Sequence, residues 1–260
     1  MDVDALLDRI GAKPPAAPTG ATLSELHRAF ALTMPSEDYD IHLGVPISLH
    51  LDDIADKMIR RRRGGYCYEL NGLFAGFLRE LGFDVTLFSA FTIGEDGTHG
   101  PDFDHLRLLV DTFDGLFLAD CGNGGSWIDP VPLRTGVHGH VRLQRDGDLW
   151  WTSERRHDGR WEPGWAWYPR ARELPEFGER SRYHEHDPHS YFVARRFAVL
   201  PTPDGRISLL NGVFSEIDHD VRIDRRVDAD EERSLLAERF EIVIDRPWRP
   251  LAVEKSSTAS

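Results

Sequence analysis

Two hydrophobic periods divide this chain. From Leu70 the apolar residues recur as Leu70, Leu73, Phe74, Phe77, Leu78 and Leu81 and stop at Gly82, the i, i+3, i+4, i+7 spacing of a helix that hides one face. Beyond it, Asp84 to Ile93, His105 to Asp111 and Leu116 to Cys121 are short runs rich in β-branched and aromatic residues, with Phe113-Asp114-Gly115 as a hairpin turn between the last two. A segment that repeats its face every 3.6 residues cannot also alternate faces at every residue. Helices up to residue 83 and antiparallel strands after it therefore imply an α+β fold.

Within the helical part, a short helix ends near Gly11 and a Pro/Ala spacer follows. Thr22 to Glu25 reads as a capping box opening a second helix through Leu23, Leu26, Phe30 and Met34, closed by Pro35. A third helix is expected from Leu51 to about Arg62, with Ile54, Met58 and Ile59 on one face. The strand pattern continues through Val141 to Gln144 and Leu149 to Ser153, with Asp158-Gly159 as a turn before the tryptophan-rich stretch Trp161 to Trp167. From about Tyr191 a strand pair around Pro203-Asp204-Gly205 precedes a helix from Asp230 to Phe240, and the end after Lys255 is expected to fray. The boundaries read as 1–83, 84–190 and 191–260. There is no internal repeat of the kind that builds solenoids.

With 260 residues, 40% of them hydrophobic, the chain can bury a substantial core. A formal charge of -13 argues against a general nucleic-acid or anionic-membrane surface. No apolar stretch approaches the roughly 20 residues a membrane helix needs. Asp2, Asp4 and Asp8 replace the basic start of a secretory signal, and two cysteines cannot form a disulfide framework. The expectation is a soluble, cytoplasmic protein with free thiols, no metal, and no nucleic-acid or membrane partner.

One of those cysteines, Cys67, lies at the opening of the Leu70 helix. Unpaired backbone N–H groups and the positive end of the helix dipole favour a thiolate there. Such a nucleophile needs a base, and the base needs an orienting group. His105 opens the strand Leu106-Arg107-Leu108-Leu109-Val110, and Asp120 ends the neighbouring Leu116-Phe117-Leu118-Ala119. Joined by the Asp114-Gly115 turn, these strands are antiparallel, so the first residue of one is expected beside the last of the other. Local geometry thus pairs His105 with Asp120 but does not bring Cys67 to them.

The residues Arg63-Gly64-Gly65-Tyr66-Cys67-Tyr68-Glu69-Leu70-Asn71 resemble the cysteine motif of the arylamine N-acetyltransferases. Pro46-Ile47-Ser48-Leu49, His105 opening an apolar strand, Asp120 before a glycine loop, and Leu235 to Phe240 extend the resemblance over nearly the whole chain. It implies a helical domain carrying Cys67, an antiparallel β-barrel domain carrying His105 and Asp120, and an α/β lid, the three side chains forming a catalytic triad. It also implies ping-pong transfer of an acetyl group from acetyl-CoA, or of another acyl group from its thioester, through a Cys67 thioester to a small-molecule amine. His105 would exchange the protons, Asp120 would fix its tautomer, backbone amides at the start of the Cys67 helix are candidate oxyanion donors, and Glu69 and Asn71 would position the loop. Gly122, Gly124 and Gly125 are candidates for letting the thioester donor approach the backbone.

Two positions depart from that pattern. Ser36 and Asn123 stand where the family commonly has phenylalanines lining the acceptor pocket. A more polar pocket keeps open an amide synthase or Dieckmann-type cyclase of secondary metabolism, acting on a thioester held by an acyl carrier protein. A thiol hydrolase or a non-catalytic binding module are the further alternatives. The acidic loop Glu95, Asp96, Asp102 and Asp104 is an awkward neighbour for CoA phosphates. Arg60 to Arg63 could meet a phosphate but reads more simply as a solvated helix end. His184, His186 and His189, and also His138 and His140, carry zinc-ligand chemistry, yet a solvated loop explains them more simply. The tryptophans from Trp150 to Trp167 read as packing, and Cys121 as a structural thiol facing away from Asp120.

Overall fold

The helices begin where their first N–H groups find side-chain acceptors. A computed structural model describes residues 1–94, 96–124, 127–155, 159–219, 221–249 and 251. Helix α1 (Val3–Ile10) is capped by Asp2, which accepts the Ala5 N–H at 3.0 Å, and it ends on Gly11 in the left-handed region (φ 65°). Helix α2 (Gly20–Thr33) starts earlier than the sequence suggests. Thr19, not Thr22, is its cap, and the two threonines exchange bonds of 3.0 and 3.2 Å with each other's backbone N–H groups. A threonine at the third helical position substitutes for the usual glutamate of the capping box, which is why the pattern was displaced by three residues.

Strand β1 (Ser36–Glu37) and the single turns α3 (Tyr39–Leu43) and α4 (Leu51–Ala55) follow. The third helix, expected as one piece to Arg62, widens after Ala55 into a π turn over Asp56–Arg60, and Arg62 then turns left-handed at φ 51°. Next comes α5 (Cys67–Glu80). Its residues from Cys67 to Ala75 are all buried, polar Glu69 and Asn71 included, so it is enclosed on nearly every side instead of hiding one face. The reason is its position between α4 and strands β2 (Asp84–Thr92) and β3 (His105–Thr112).

After β3 run β4 (Gly115–Ala119), β5 (Val131–Pro132), β6 (Gly136–His138), β7 (Val141–Asp146), β8 (Leu149–Arg155) and β9 (Trp161–Trp167). They form an eight-stranded antiparallel sheet in the order β5-β4-β3-β2-β9-β8-β7-β6, a nearly closed barrel. Phe88, Trp127, Trp150 and Trp167 fill its interior. Gly159 has φ 82°, as a turn glycine should, while its expected partner Asp158 lies outside the described residues.

The segment around His184 is not a loop. It is helix α6 (Gly178–His186), followed by α7 (Tyr191–Ala194). Strands β10 (Phe197–Thr202), β11 (Gly205–Leu210), β12 (Val213–Asp218) and β13 (Val221–Arg226) then form a second sheet, on which α8 (Ala229–Phe240) packs through Leu235, Leu236 and Phe240. The first strand of that sheet is β1, with Ser36 opposite Val199 and Glu37 opposite Ala198. The α+β reading therefore holds, and the short strand ahead of Cys67 is stitched to the last third of the chain. The end after Lys255 lies outside the described residues. No helix among the described residues is long and apolar enough to cross a membrane.

Candidate active site

Asp120 is the electrostatic centre of the site. The register of β3 and β4 pairs Leu108 with Ala119, and continuing it sets Arg107, not His105, opposite Asp120. His105 is two residues further along and so on the same face. Both donate to one oxygen, His105 through Nε2 at 2.8 Å and Arg107 through Nε at 2.7 Å to Oδ2. The other oxygen, Oδ1, accepts from Asn71 Nδ2 at 3.0 Å and from the Gly122 N–H at 3.1 Å. Burial works to raise the Asp120 pKa, but the charges of His105 and Arg107 and the bonds from His105 and Asn71 outweigh it, so the carboxyl is held well below the usual range. An ionised carboxylate accepts only, so His105 carries its proton on Nε2 when neutral and leaves Nδ1 as the basic nitrogen.

The fixings behind this centre are less visible in the sequence. His27, fully buried on α2, accepts the Asp120 backbone N–H at 3.2 Å and meets the Ile128 carbonyl at 2.8 Å through its other nitrogen. The Arg107 guanidinium lies 4.7 Å from the Trp127 ring centre, which supports its burial. An arginine within the apolar run Leu106 to Val110 was a signal that a buried carboxylate waited for it. Nothing local marked His27. Trp165 does more than the packing that the sequence suggests: its ring stacks on His105 at 4.6 Å and 13°, and its Nε1–H is held by Asn123 Oδ1 at 3.0 Å. That stack fixes the plane of the imidazole. Trp150 and Trp167 do pack against each other in the barrel.

Cys67 is brought to the same place by charge pairing beneath its loop. Arg63 bonds Glu37 at 2.9 Å through Nε and Asp40 at 2.9 Å through Nη2, while Lys57 Nζ meets Asp40 and Glu69 at 2.8 Å each. Glu69 also accepts the Tyr66 N–H at 3.2 Å, fixing the first turn of α5. The Arg60 to Arg63 run thus separates. Arg63 is committed to buried carboxylates, and Arg60 and Arg61 pair with Asp56 at the surface.

The sulfur does not show the depressed pKa expected of a helix start. Burial pushes the Cys67 thiol well above its ordinary value and the Asp120 and Asp104 charges add to that, against hydrogen bonds from the Leu106 and Tyr68 backbone N–H groups. A helix start stabilises a thiolate only modestly, and removal of water from the sulfur exceeds that effect. Those same bonds seat Cys67 against the residue that follows His105.

Cys67 and His105 line a single cavity of about 550 Å³, shared with Ser36, Gly122, Asn123 and Trp165. Both departures from the family pattern, Ser36 and Asn123, therefore face it. Gly122 is required for a reason other than donor access. A Cβ there would lie 2.6 Å from Cys67 Cα and 2.9 Å from Asn71 Nδ2. Gly122→Ala is expected to displace Cys67 and lower kcat/KM for acetyl transfer by about 100-fold; a variant within about threefold of wild type would refute the requirement. Gly124, at φ 63°, also lines the cavity and its Cβ would meet nothing within 4 Å, whereas Gly125 lies outside the described residues.

Of the acidic loop, Asp102 is bonded by Arg172 at 3.0 Å and Asp104 by Arg180 at 2.6 Å, so their charges are locally answered; Asp96 bonds Thr98, and Glu95 lies outside the described residues. Cys121 is buried in the main core. His184 faces the cavity while His186 and His189 are exposed, so the three do not converge. His138 meets the Arg134 carbonyl, and His140 is exposed. The one ligand-like cluster among the described residues, Asp204, Asp218 and His219, is exposed and was not anticipated.

A family model described as N-acetyltransferase matches residues 20–249. An arylamine N-acetyltransferase / N-hydroxyarylamine O-acetyltransferase of Salmonella typhimurium is 31% identical over 218 residues, which is 81% of this chain and 77% of that relative. Among solved structures, the Mycobacterium smegmatis arylamine N-acetyltransferase superposes with a TM-score of 0.87 at 30% identity, covering 93% of this chain and 92% of that one. The Mycobacterium marinum arylamine N-acetyltransferase in complex with CoA superposes with a TM-score of 0.85 at 28% identity, covering 93% of each chain. From its layered fold, its cysteine loop and these similarities together, the chain belongs to the arylamine N-acetyltransferase family.

Proposed function

We propose that this protein transfers an acetyl group from acetyl-CoA to an arylamine in two half-reactions, with Cys67, His105 and Asp120 as the triad. The observation that carries the reading is the shared cavity: Cys67 and His105 open onto the same space, and the far nitrogen of His105 is anchored on an ionised Asp120. The three parts 1–83, 84–190 and 191–260 then act as carrier of the nucleophile, carrier of the base, and lid.

In the first half-reaction the Cys67 S–H proton passes to His105 Nδ1 as sulfur attacks the acetyl carbonyl. The bond from that carbonyl to the CoA sulfur breaks, and the departing thiolate takes the proton from the imidazolium. In the second, the amine nitrogen attacks the Cys67 thioester and gives a proton to His105. The C–S bond breaks, and the proton returns to sulfur. Because burial holds the resting thiol protonated, nucleophile and base work as one unit, and Asp120 stabilises the imidazolium that the transfer creates. Gly124 supports donor approach, with room beside its α-carbon. The CoA-bound relative supports CoA as donor here, and each relative cited above is named for arylamines, which supports that acceptor over a carrier-bound chain.

The test is intact-mass analysis after mixing with acetyl-CoA. One added acetyl group is expected on wild type and none on Cys67→Ala, with the adduct discharged by an arylamine. Discharge to free acetate at the same rate with and without amine would instead identify a hydrolase.

A further inference from the structure

His184 is 6% exposed in its side chain and lines the Cys67 cavity, yet neither of its ring nitrogens has a hydrogen-bond partner among the described residues. Asp104 Oδ1 is 3.8 Å from Nε2 and is already bonded by Arg180 at 2.6 Å. Aromatic rings surround the imidazole: Phe192 with centroids 4.9 Å apart, Tyr68 at 5.9 Å and Tyr66 at 6.5 Å. A buried ring nitrogen without a partner is unfavourable unless something entering the cavity bonds it. Burial, with the Arg180 charge, pushes this imidazole down to about 3, so it offers one donor and one acceptor and no positive charge. It is thus unsuited to phosphates or carboxylates. Of these rings Tyr66 and Phe192 also line the cavity, where they suit the flat face of an arene, and the ring nitrogens suit a neutral substituent on it.

We propose that His184 is a specificity-determining residue of the acceptor pocket, hydrogen-bonding a neutral polar substituent such as a phenolic hydroxyl on the aromatic amine. This rests on the acceptor reading above and deepens it. Tyr66, one residue before the nucleophile, connects the two regions: its hydroxyl bonds Ser181 on the same helix as His184 at 2.6 Å. An amine held by its substituent at α6 therefore has its position referred directly to the Cys67 loop. The preference follows from the cost of leaving His184 unpaired when an amine without such a group binds.

The experiment compares two isosteric amines, 4-aminophenol and 4-methylaniline, on wild type, His184→Leu, His184→Phe and His184→Gln. Amine binding is measured by calorimetry, the second half-reaction by kcat/KM, and Cys67 acetylation without amine by intact mass. The aminophenol-to-methylaniline ratio, in binding and in kcat/KM, is expected to fall about tenfold in the leucine and phenylalanine variants and to be largely retained in the glutamine variant. The phenylalanine variant, which extends the aromatic cage, serves if leucine does not fold. The same ratio in wild type and the apolar variants overturns the proposal. Absence of the Cys67 adduct in wild type would instead overturn the catalytic reading, and the calorimetric ratio still decides the role of His184.

Discussion

Asp120→Asn is expected to acetylate Cys67 about 10³–10⁴-fold more slowly than wild type, measured by stopped-flow mixing with acetyl-CoA. The carboxylate accepts from four donors, His105 and Arg107 on one oxygen and Asn71 and the Gly122 N–H on the other. An asparagine has one acceptor and one NH₂, so either orientation sets a donor against donors. With the NH₂ toward His105, the imidazole must carry its proton on Nδ1 instead of Nε2, and the proposed base nitrogen is lost. With the NH₂ toward Asn71 and Gly122, the loop beside Cys67 is pushed away. A loss smaller than tenfold, in protein with an unchanged circular dichroism spectrum, would remove Asp120 from the mechanism.

The same residue gives a pH signature in stability. Its folded pKa lies below the unfolded value, so its contribution is complete above about pH 5 and is lost as pH falls. The urea midpoints of wild type and Asp120→Asn should accordingly converge as the solution is acidified.

Lys57→Met is expected to cost about 3–5 kcal/mol of folding stability, read from urea denaturation at neutral pH. The Lys57 side chain is 5% exposed and is shared by Asp40 and Glu69, so its removal leaves, among the described residues, Arg63 as the only cation paired with Glu37 and Asp40 and takes the ammonium partner from Glu69. Burial already pushes Glu69 up to about 7 despite the attraction of Lys57. Without that attraction the carboxyl is driven further toward its protonated form. A group whose folded pKa exceeds its unfolded value loses its stabilising contribution as pH rises through the folded value. The deficit of Lys57→Met should therefore be larger at pH 8 than at pH 5. A loss below about 1 kcal/mol, typical of an exposed ion pair, would show that the network does not hold the Cys67 loop.

These residues also show how far a linear reading reaches. The helix of Cys67, the Phe113-Asp114-Gly115 hairpin and the neighbourhood of His105 and Asp120 were legible because each depends on periodicity or turn chemistry within a dozen or so residues. Within that window the sequence still missed the register by two residues, which gave Arg107 the position opposite Asp120. It also displaced the α2 cap, where a threonine does the work of a glutamate. The pKa of Cys67 was misjudged because helix position is local, whereas desolvation depends on everything packed around the sulfur. A solvated loop is the simplest local reading of His184, since its helix has almost no apolar periodicity; the His184 ring itself is buried by Tyr66, Tyr68 and Phe192 from elsewhere.

Determined by the amino-acid order alone were the α+β layering, the cysteine at a helix start and a histidine beside an aspartate on one hairpin. Left to tertiary structure were the meeting of Cys67 with that hairpin, the His27 and Arg107 fixings behind Asp120, the Trp165 stack on His105, and the buried charges that tie β1 to the Cys67 loop. The division has one physical cause: backbone periodicity is set by neighbours along the chain, while burial and charge pairing are set by neighbours in space.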